Sequence, residues 1–118
     1  YSLNMTGNID KRAQAQGVAP NFIHSMDASH LQLTVCNAVD ADIHHFAMIH
    51  DSYGAPVAQA KHMYKVVRES FIKMYTDHDV LESFRDDMKK LSDTKLPDFP
   101  ARGILDLNEI IKSKYIFS

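Results

Sequence analysis

A chain of 118 residues, 45% of them hydrophobic, is sized for one domain or part of one and can bury a core. Its formal charge of −2 and pI of about 6.4 argue against an independent nucleic-acid-binding module, which carries a basic face. The single cysteine, Cys36, excludes an intrachain disulfide and a cysteine-based zinc site, and no apolar run approaches the roughly 20 residues needed to cross a membrane. The N-terminus has no signal-peptide core, and a first residue of Tyr1 rather than Met leads us to expect a fragment or a processed product.

Residues 1–25 are polar and weakly patterned, and Pro20 biases Ala19 toward extended backbone, so an extended approach segment is expected there. Ala28, Leu31, Val35 and Ala38 then follow the spacing of one helical face, which predicts a helix over 26–40 capped by Ser25 or Asp27. Ile43 to Ile49 reads as a strand buried on both sides, and His50-Asp51-Ser52-Tyr53-Gly54 as a turn leading into a return strand over Tyr53 to Val57. Pro56 confines that strand to an edge or a short pairing.

Ala60, Tyr64, Val67, Phe71 and Met74 predict an amphipathic helix over 57–77, and Leu81, Phe84, Met88 and Leu91 another over 79–91. Pro97 and Pro100 mark a loop. Asp106 with Glu109 forms a capping-box pattern for a last short helix that turns Leu107, Ile110 and Ile111 inward. The expected fold class is α+β, with the hairpin packed on several helices.

Asp51 is the chemically awkward residue. A carboxylate at the tip of a dry strand costs several kcal/mol unless it is paired or coordinated. One reading is an aspartate that opens a turn and caps its own backbone. The other is a ligand for Mg²⁺, which takes one or two protein carboxylates and leaves its other positions to water and phosphate. A hairpin tip is a rigid mount for such a ligand.

A wider pattern bears on the choice. Pro20-Asn21-Phe22-Ile23-His24-Ser25, Asp27, Ser29-His30-Leu31 and Ile49-His50-Asp51-Ser52-Tyr53-Gly54 together resemble the end of the single-subunit, phage-type RNA polymerases, a family that includes the mitochondrial enzymes. The similarity runs from about residue 17 to the end. It implies that residues 1–118 form the C-terminal part of a right-hand polymerase palm. It also implies DNA-templated RNA synthesis by attack of the RNA 3′-hydroxyl on the α-phosphorus of an NTP, with two Mg²⁺ ions in the complete enzyme. On this resemblance Asp51 matches the motif C aspartate, a catalytic metal ligand. His50, Ser52 and Tyr53 match the supporting turn, and His24 matches a histidine near the minor-groove side of the RNA–template hybrid. Phe117 and Ser118 match a C-terminal foot that packs back near the active site. Many phage members end in Phe-Ala, so Ser118 departs from that pattern and is closer to the mitochondrial-type endings.

The motif A carboxylate, the nucleotide-binding fingers helix and the promoter-reading region have no counterpart in these residues. Asp27 and Asp42 sit in no matching motif. The chain alone is therefore expected to be inactive, with the DNA template, RNA transcript, NTPs and upstream polymerase domains as partners of the complete enzyme and no membrane among them. A phage member would work in the host cytoplasm and an organellar one in the mitochondrial matrix. Cut free, the unit exposes a sheet edge and an apolar face, so self-association is expected.

Two other readings compete. Related right-hand DNA polymerases also carry a His-Asp motif but follow it with Glu, where this chain has Ser52. A non-catalytic α+β interaction module would use Asp51 only to shape a turn. The remaining candidates are plainer. His44 and His45 are adjacent in an expected strand, face opposite ways and so cannot share an ion; one buried and one exposed is expected. His24 and His30 lack further zinc ligands. His62, His78 and the acidic run from Asp77 to Asp87 read as solvated, and Met63, Phe71, Met74, Phe84, Met88 and Cys36 as core.

Overall fold

A computed structural model describes residues 7–116. In chain order it holds helix α1 (Lys11–Asp40), strands β1 (Ala47–Ile49) and β2 (Ser52–Gly54), a 3₁₀ turn (Val57–Gln59), helices α2 (Ala60–Thr76) and α3 (Val80–Leu91), and a second 3₁₀ segment (Leu107–Lys112). The class is α+β, as expected. The strands form one antiparallel hairpin in the register Ala47↔Gly54, Met48↔Tyr53 and Ile49↔Ser52.

The first helix departs most from expectation. Residues 11–25 are helical, not extended, and α1 runs for 30 residues through Pro20. Asp10 starts it, its carboxylate accepting from the Arg12 and Ala13 amides at 2.9 and 3.1 Å. Lys-Arg-Ala-Gln-Ala-Gln that follows is made of strong helix formers. Pro20 gives up one backbone hydrogen bond, and the bonds around it hold the helix through that gap.

The buried stripe of α1 also differs. It is His30, Thr34 and Ala38, while Leu31 and Val35 are half-buried and Ala28 is exposed. The helix is rotated so that His30 and Thr34 face inward, and the His30 ring finds a partner there in the Val67 carbonyl of α2 at 2.9 Å. The Asn37 amide donates to the Ser70 hydroxyl at 2.8 Å, with Ser70 fully buried. Burial of such groups is tolerated only because they are hydrogen-bonded.

The expected strand over 43–49 shrinks to three residues, with Ile43 buried and Ile49 70% exposed. Among the described residues no third strand covers the hairpin, so its outer edge stays wet. His44 and His45 are both exposed, correcting the expectation of one buried ring; His44 bonds the Asp42 carboxylate at 2.9 Å instead. Cys36 is exposed rather than core.

Helices α2 and α3 and the last capped segment fall where the periodicity puts them. Asp106 caps the latter through the Asn108 amide at 2.9 Å, though Ile111 faces outward at 49% exposure while Leu107 and Ile110 are half-buried. Phe117 and Ser118 lie outside the described residues, as do residues 1–6.

The main core is small: Ala38, Ile43, Met63, Val66 and Val67, with Phe46, Met48, Tyr53 and Ile116 packed partly against it. The radius of gyration is 18.4 Å, against about 13–14 Å for a compact domain of this length. Ile49, Val57, Ile104 and Leu105 remain largely exposed. The fold is a hairpin braced on two packed helices, with exposed apolar residues on its surface.

Candidate functional site: an acidic hairpin tip braced by a buried histidine

The two-residue turn His50-Asp51 joins β1 to β2. His50 has a φ of 49°, in the left-handed region that tight hairpin loops need at their first position. A non-glycine residue pays roughly 1–2 kcal/mol for that conformation. The strain is held by the strand pairing on one side and by Tyr53 on the other.

Tyr53 reaches inward from β2. Its hydroxyl lies 3.0 Å from His30 Nδ1, and His30 Nε2 lies 2.9 Å from the Val67 carbonyl of α2. The carbonyl can only accept, so Nε2 carries the proton and Nδ1 accepts from the phenol. The ring also packs against Tyr53 and edge-on against Phe71, centroids 5.6 and 5.3 Å away. One buried imidazole therefore ties the hairpin to both long helices, two residues from Asp51.

Burial lowers the pKa of His30, and the Val67 carbonyl, Asp27 and Asp51 oppose that only in part. Burial, then Asp51 and Asp27, raise the Tyr53 phenol. Both groups are thus neutral near pH 7, as the hydrogen bonds require. In the unfolded chain His30 takes up its proton at about 6.5; in the folded one it does so only at lower pH. As pH falls below about 6.5 the unfolded state binds more protons, so stability should drop until the folded pKa is passed. Thermal unfolding of the chain between pH 7.5 and 5 should show this slope, and His30→Gln should flatten it. An equal slope in both proteins would contradict the assigned protonation state.

The Asp51 carboxylate is exposed and, among the described residues, makes no hydrogen bond or ion pair. Among the described residues it caps no backbone group of its own turn. It sits between two clefts. One, of about 640 Å³, lies between the hairpin tip and α1 and is lined by His24, Asp27, Ala28, Leu31, Gln32, His50 and Asp51. The other, of about 410 Å³, faces α2 and includes Tyr53, Arg68 and Ile116. The fold thus brings His24, His50 and Asp51 to one groove, Ser52 is exposed in β2 beside it, and Tyr53 points away as the brace.

Asp27 and His30 are what sequence reasoning missed. Asp27 shares the groove with Asp51 across 24 positions of chain, and His30 is the buried brace. A signal existed in the Ser29-His30-Leu31 block, but nothing local to it says that its ring points inward. The donors of the groove suit a hard divalent cation, since they include an unpaired carboxylate on a fixed turn with a second carboxylate nearby. Among the described residues no three His, Cys, Asp or Glu side chains gather closely enough to hold a metal by themselves.

A short antiparallel hairpin thus presents an exposed carboxylate beside a helix-lined groove. The family model for DNA-dependent RNA polymerase matches residues 2–95, and the chain belongs to that family. It is 40% identical over 123 residues to a DNA-directed RNA polymerase of Enterobacteria phage K11, covering all of this chain and 14% of the relative. To T7 RNA polymerase of Escherichia phage T7 it is 40% identical over 120 residues, covering 98% of this chain and 14% of the relative. A mitochondrial DNA-directed RNA polymerase 1 of Nicotiana sylvestris is 32% identical over 114 residues, 96% of this chain and 11% of the relative. The chain thus spans about one seventh of the phage relatives it matches. No helix among the described residues is long and apolar enough to cross a membrane.

Proposed function

We propose that this chain is the C-terminal palm portion of a DNA-dependent RNA polymerase and supplies one of the carboxylates that hold two catalytic Mg²⁺ ions. The observation that carries this reading is the Asp51 carboxylate, unpaired and exposed on a strained, braced turn at the head of a groove. The reaction of the complete enzyme would be attack of the RNA 3′-hydroxyl on the α-phosphorus of an NTP, releasing pyrophosphate. When bound, the metal pair supplies positive charge to the attacking and leaving oxygens.

The chain's own residues have narrower tasks. Asp51 would present its carboxylate to the metal ions at a fixed point. His50 bends the backbone so that the carboxylate projects from the tip. Tyr53 and His30 keep the turn from moving relative to α1 and α2. His24 lies on the α1 wall of the same groove, exposed and able to donate to a nucleic-acid strand laid along it. Asp27 shares that wall but sits in no motif A pattern, and the partner carboxylate is assigned to upstream sequence.

The small core, the open hairpin edge and the exposed apolar residues fit a unit that packs against further polymerase structure. They also fit self-association when the unit is cut free. The DNA template, the RNA transcript, NTPs and upstream domains are the partners this reading gives the complete enzyme. Its compartment follows its source, host cytoplasm or mitochondrial matrix.

The direct test is Asp51→Asn in the complete polymerase, assayed for turnover and template binding. Loss of turnover with template binding kept supports the reading, and near-normal turnover overturns it. A second expectation concerns the chain alone: purified residues 1–118 with primer, template, NTPs and Mg²⁺ should incorporate no nucleotide. Templated incorporation above a no-protein control would show that the chain carries a whole site rather than half of one.

A further inference from the structure

Arg68 of α2 is 4% exposed, the one charged side chain buried to this degree among the described residues. No carboxylate there pairs with it. A buried cation without a counter-ion is costly, so whatever it binds should account for it. Its acceptors are all backbone carbonyls. Nη1 donates to Tyr64 O at 3.1 Å, and Nη2 to Ser113 O at 3.1 Å and Lys114 O at 3.3 Å. The guanidinium carbon lies 3.3 Å from the centre of the Tyr64 ring, a cation–π stack. The Tyr64 hydroxyl donates to the same Ser113 carbonyl at 2.6 Å.

The segment gripped in this way has no regular structure. After Lys112 the chain leaves its last 3₁₀ turn, and its carbonyls have no helix or sheet partner. A guanidinium fork can satisfy several such carbonyls at once, which an apolar side chain of similar size could not. Two residues beyond the grip, Ile116 packs partly on the core and lines the 410 Å³ cleft whose other residues include Asp51, Tyr53 and Arg68 itself.

We infer that Arg68 and Tyr64 are positioning residues that clamp the segment 113–116 onto α2, so that Ile116 forms the wall of the cleft beside the Asp51 carboxylate. The clamp acts through that segment and touches no reacting atom. It makes the placement of residues 113–116 a condition for the geometry at the hairpin tip. This rests on the reading of Asp51 as a catalytic carboxylate.

The test uses the complete polymerase and four variants. Arg68→Ala should lower kcat about 10–100-fold, the scale on which small misplacements of reacting groups act, with KM for NTP within about twofold. Amides 114–116 should exchange faster while those of α1, α2 and the hairpin keep their protection. Tyr64→Phe keeps the stacked ring and removes one donor, so kcat should fall about threefold, the scale of one hydrogen bond. Ile116→Ala leaves the clamp intact and should lower kcat in the same direction.

Wild-type kcat in a folded Arg68→Ala protein overturns the inference. Should Arg68→Ala lose protection throughout, wild-type kcat in both Tyr64→Phe and Ile116→Ala overturns it instead. Asp51→Asn is the reference. If it is inactive and the clamp variants are normal, only the clamp fails; if it is active, the reading of Asp51 fails and the clamp with it.

Discussion

Asp51→Asn in the complete polymerase is expected to cut turnover by at least about 100-fold, the loss seen when one preorganised electrostatic group is taken from an active site. Asparagine matches aspartate in size and suits turns, so the His50-Asp51 hairpin should form unchanged. Asp51 is exposed and has no hydrogen bond to lose among the described residues, so stability should move by no more than about 0.5 kcal/mol. The amide oxygen is an uncharged and weaker ligand for a hard cation, and its NH₂ group repels one. Template binding draws on phosphate contacts spread over a far larger protein and should survive. Steady-state incorporation, a template-binding isotherm and a melting curve on the same preparation separate these effects. Turnover within twofold of wild type would return Asp51 to the role of a turn residue.

His30→Ala should destabilise the chain by about 2–4 kcal/mol, the range for breaking a buried hydrogen-bonded node and leaving a void. The ring is 2% exposed and fills the space between Tyr53, Phe71 and Val67. Its removal takes one hydrogen bond from the Tyr53 hydroxyl and one from the Val67 carbonyl, each worth about 0.5–1.5 kcal/mol. His30→Gln is the control, because an amide can donate to Val67 and accept from Tyr53; it should recover at least half of the loss. Denaturant unfolding of the three proteins gives the measurement. Equal stability of the alanine variant and wild type would mean that the hairpin is not braced through this ring. Tyr53→Phe removes one of the two bonds and should fall between, by about 1 kcal/mol.

The two expectations address different levels of one design. The first removes the charge that the site presents, and the second removes the strut that holds the charge in place. A polymerase carrying His30→Gln should keep most of its activity, whereas one carrying Asp51→Asn should not, although Asp51 contributes nothing measurable to the fold and His30 a good deal.

Much was written locally. The hairpin followed from a turn-forming pentapeptide between short apolar runs, and α2 and α3 from apolar residues every three or four positions, because these signals act over a few neighbouring residues. The family resemblance also came from linear blocks, and it named Asp51, His50 and His24, which the fold then gathered at one groove. Of two departures from expectation, one has a local cause and the other a distant one. Pro20 argues for extended backbone over 11–25, but the Asp10 cap and a run of helix formers carry the helix through it. Ile43 to Ile49 reads as a two-sided strand, but with no third strand among the described residues only Ala47–Ile49 pairs.

The inward face of α1 shows the division most clearly. By itself the sequence determined a helix over 26–40, the second half of α1, and offered an apolar stripe of Ala28, Leu31, Val35 and Ala38 as its core face. The tertiary structure turned the helix to bury His30, Thr34 and Ala38 instead. The reason is that Tyr53 and Val67 present hydrogen-bonding groups to the His30 ring from other elements, and Ser70 one to Asn37 beside it, which an apolar stripe would leave unused. Sequence could thus determine the class, the family and the carboxylate at the hairpin tip, whereas its exposure came from the fold. Which histidine braces it, and which arginine closes the cleft beside it, were decided only by contacts across 23 to 46 positions of chain.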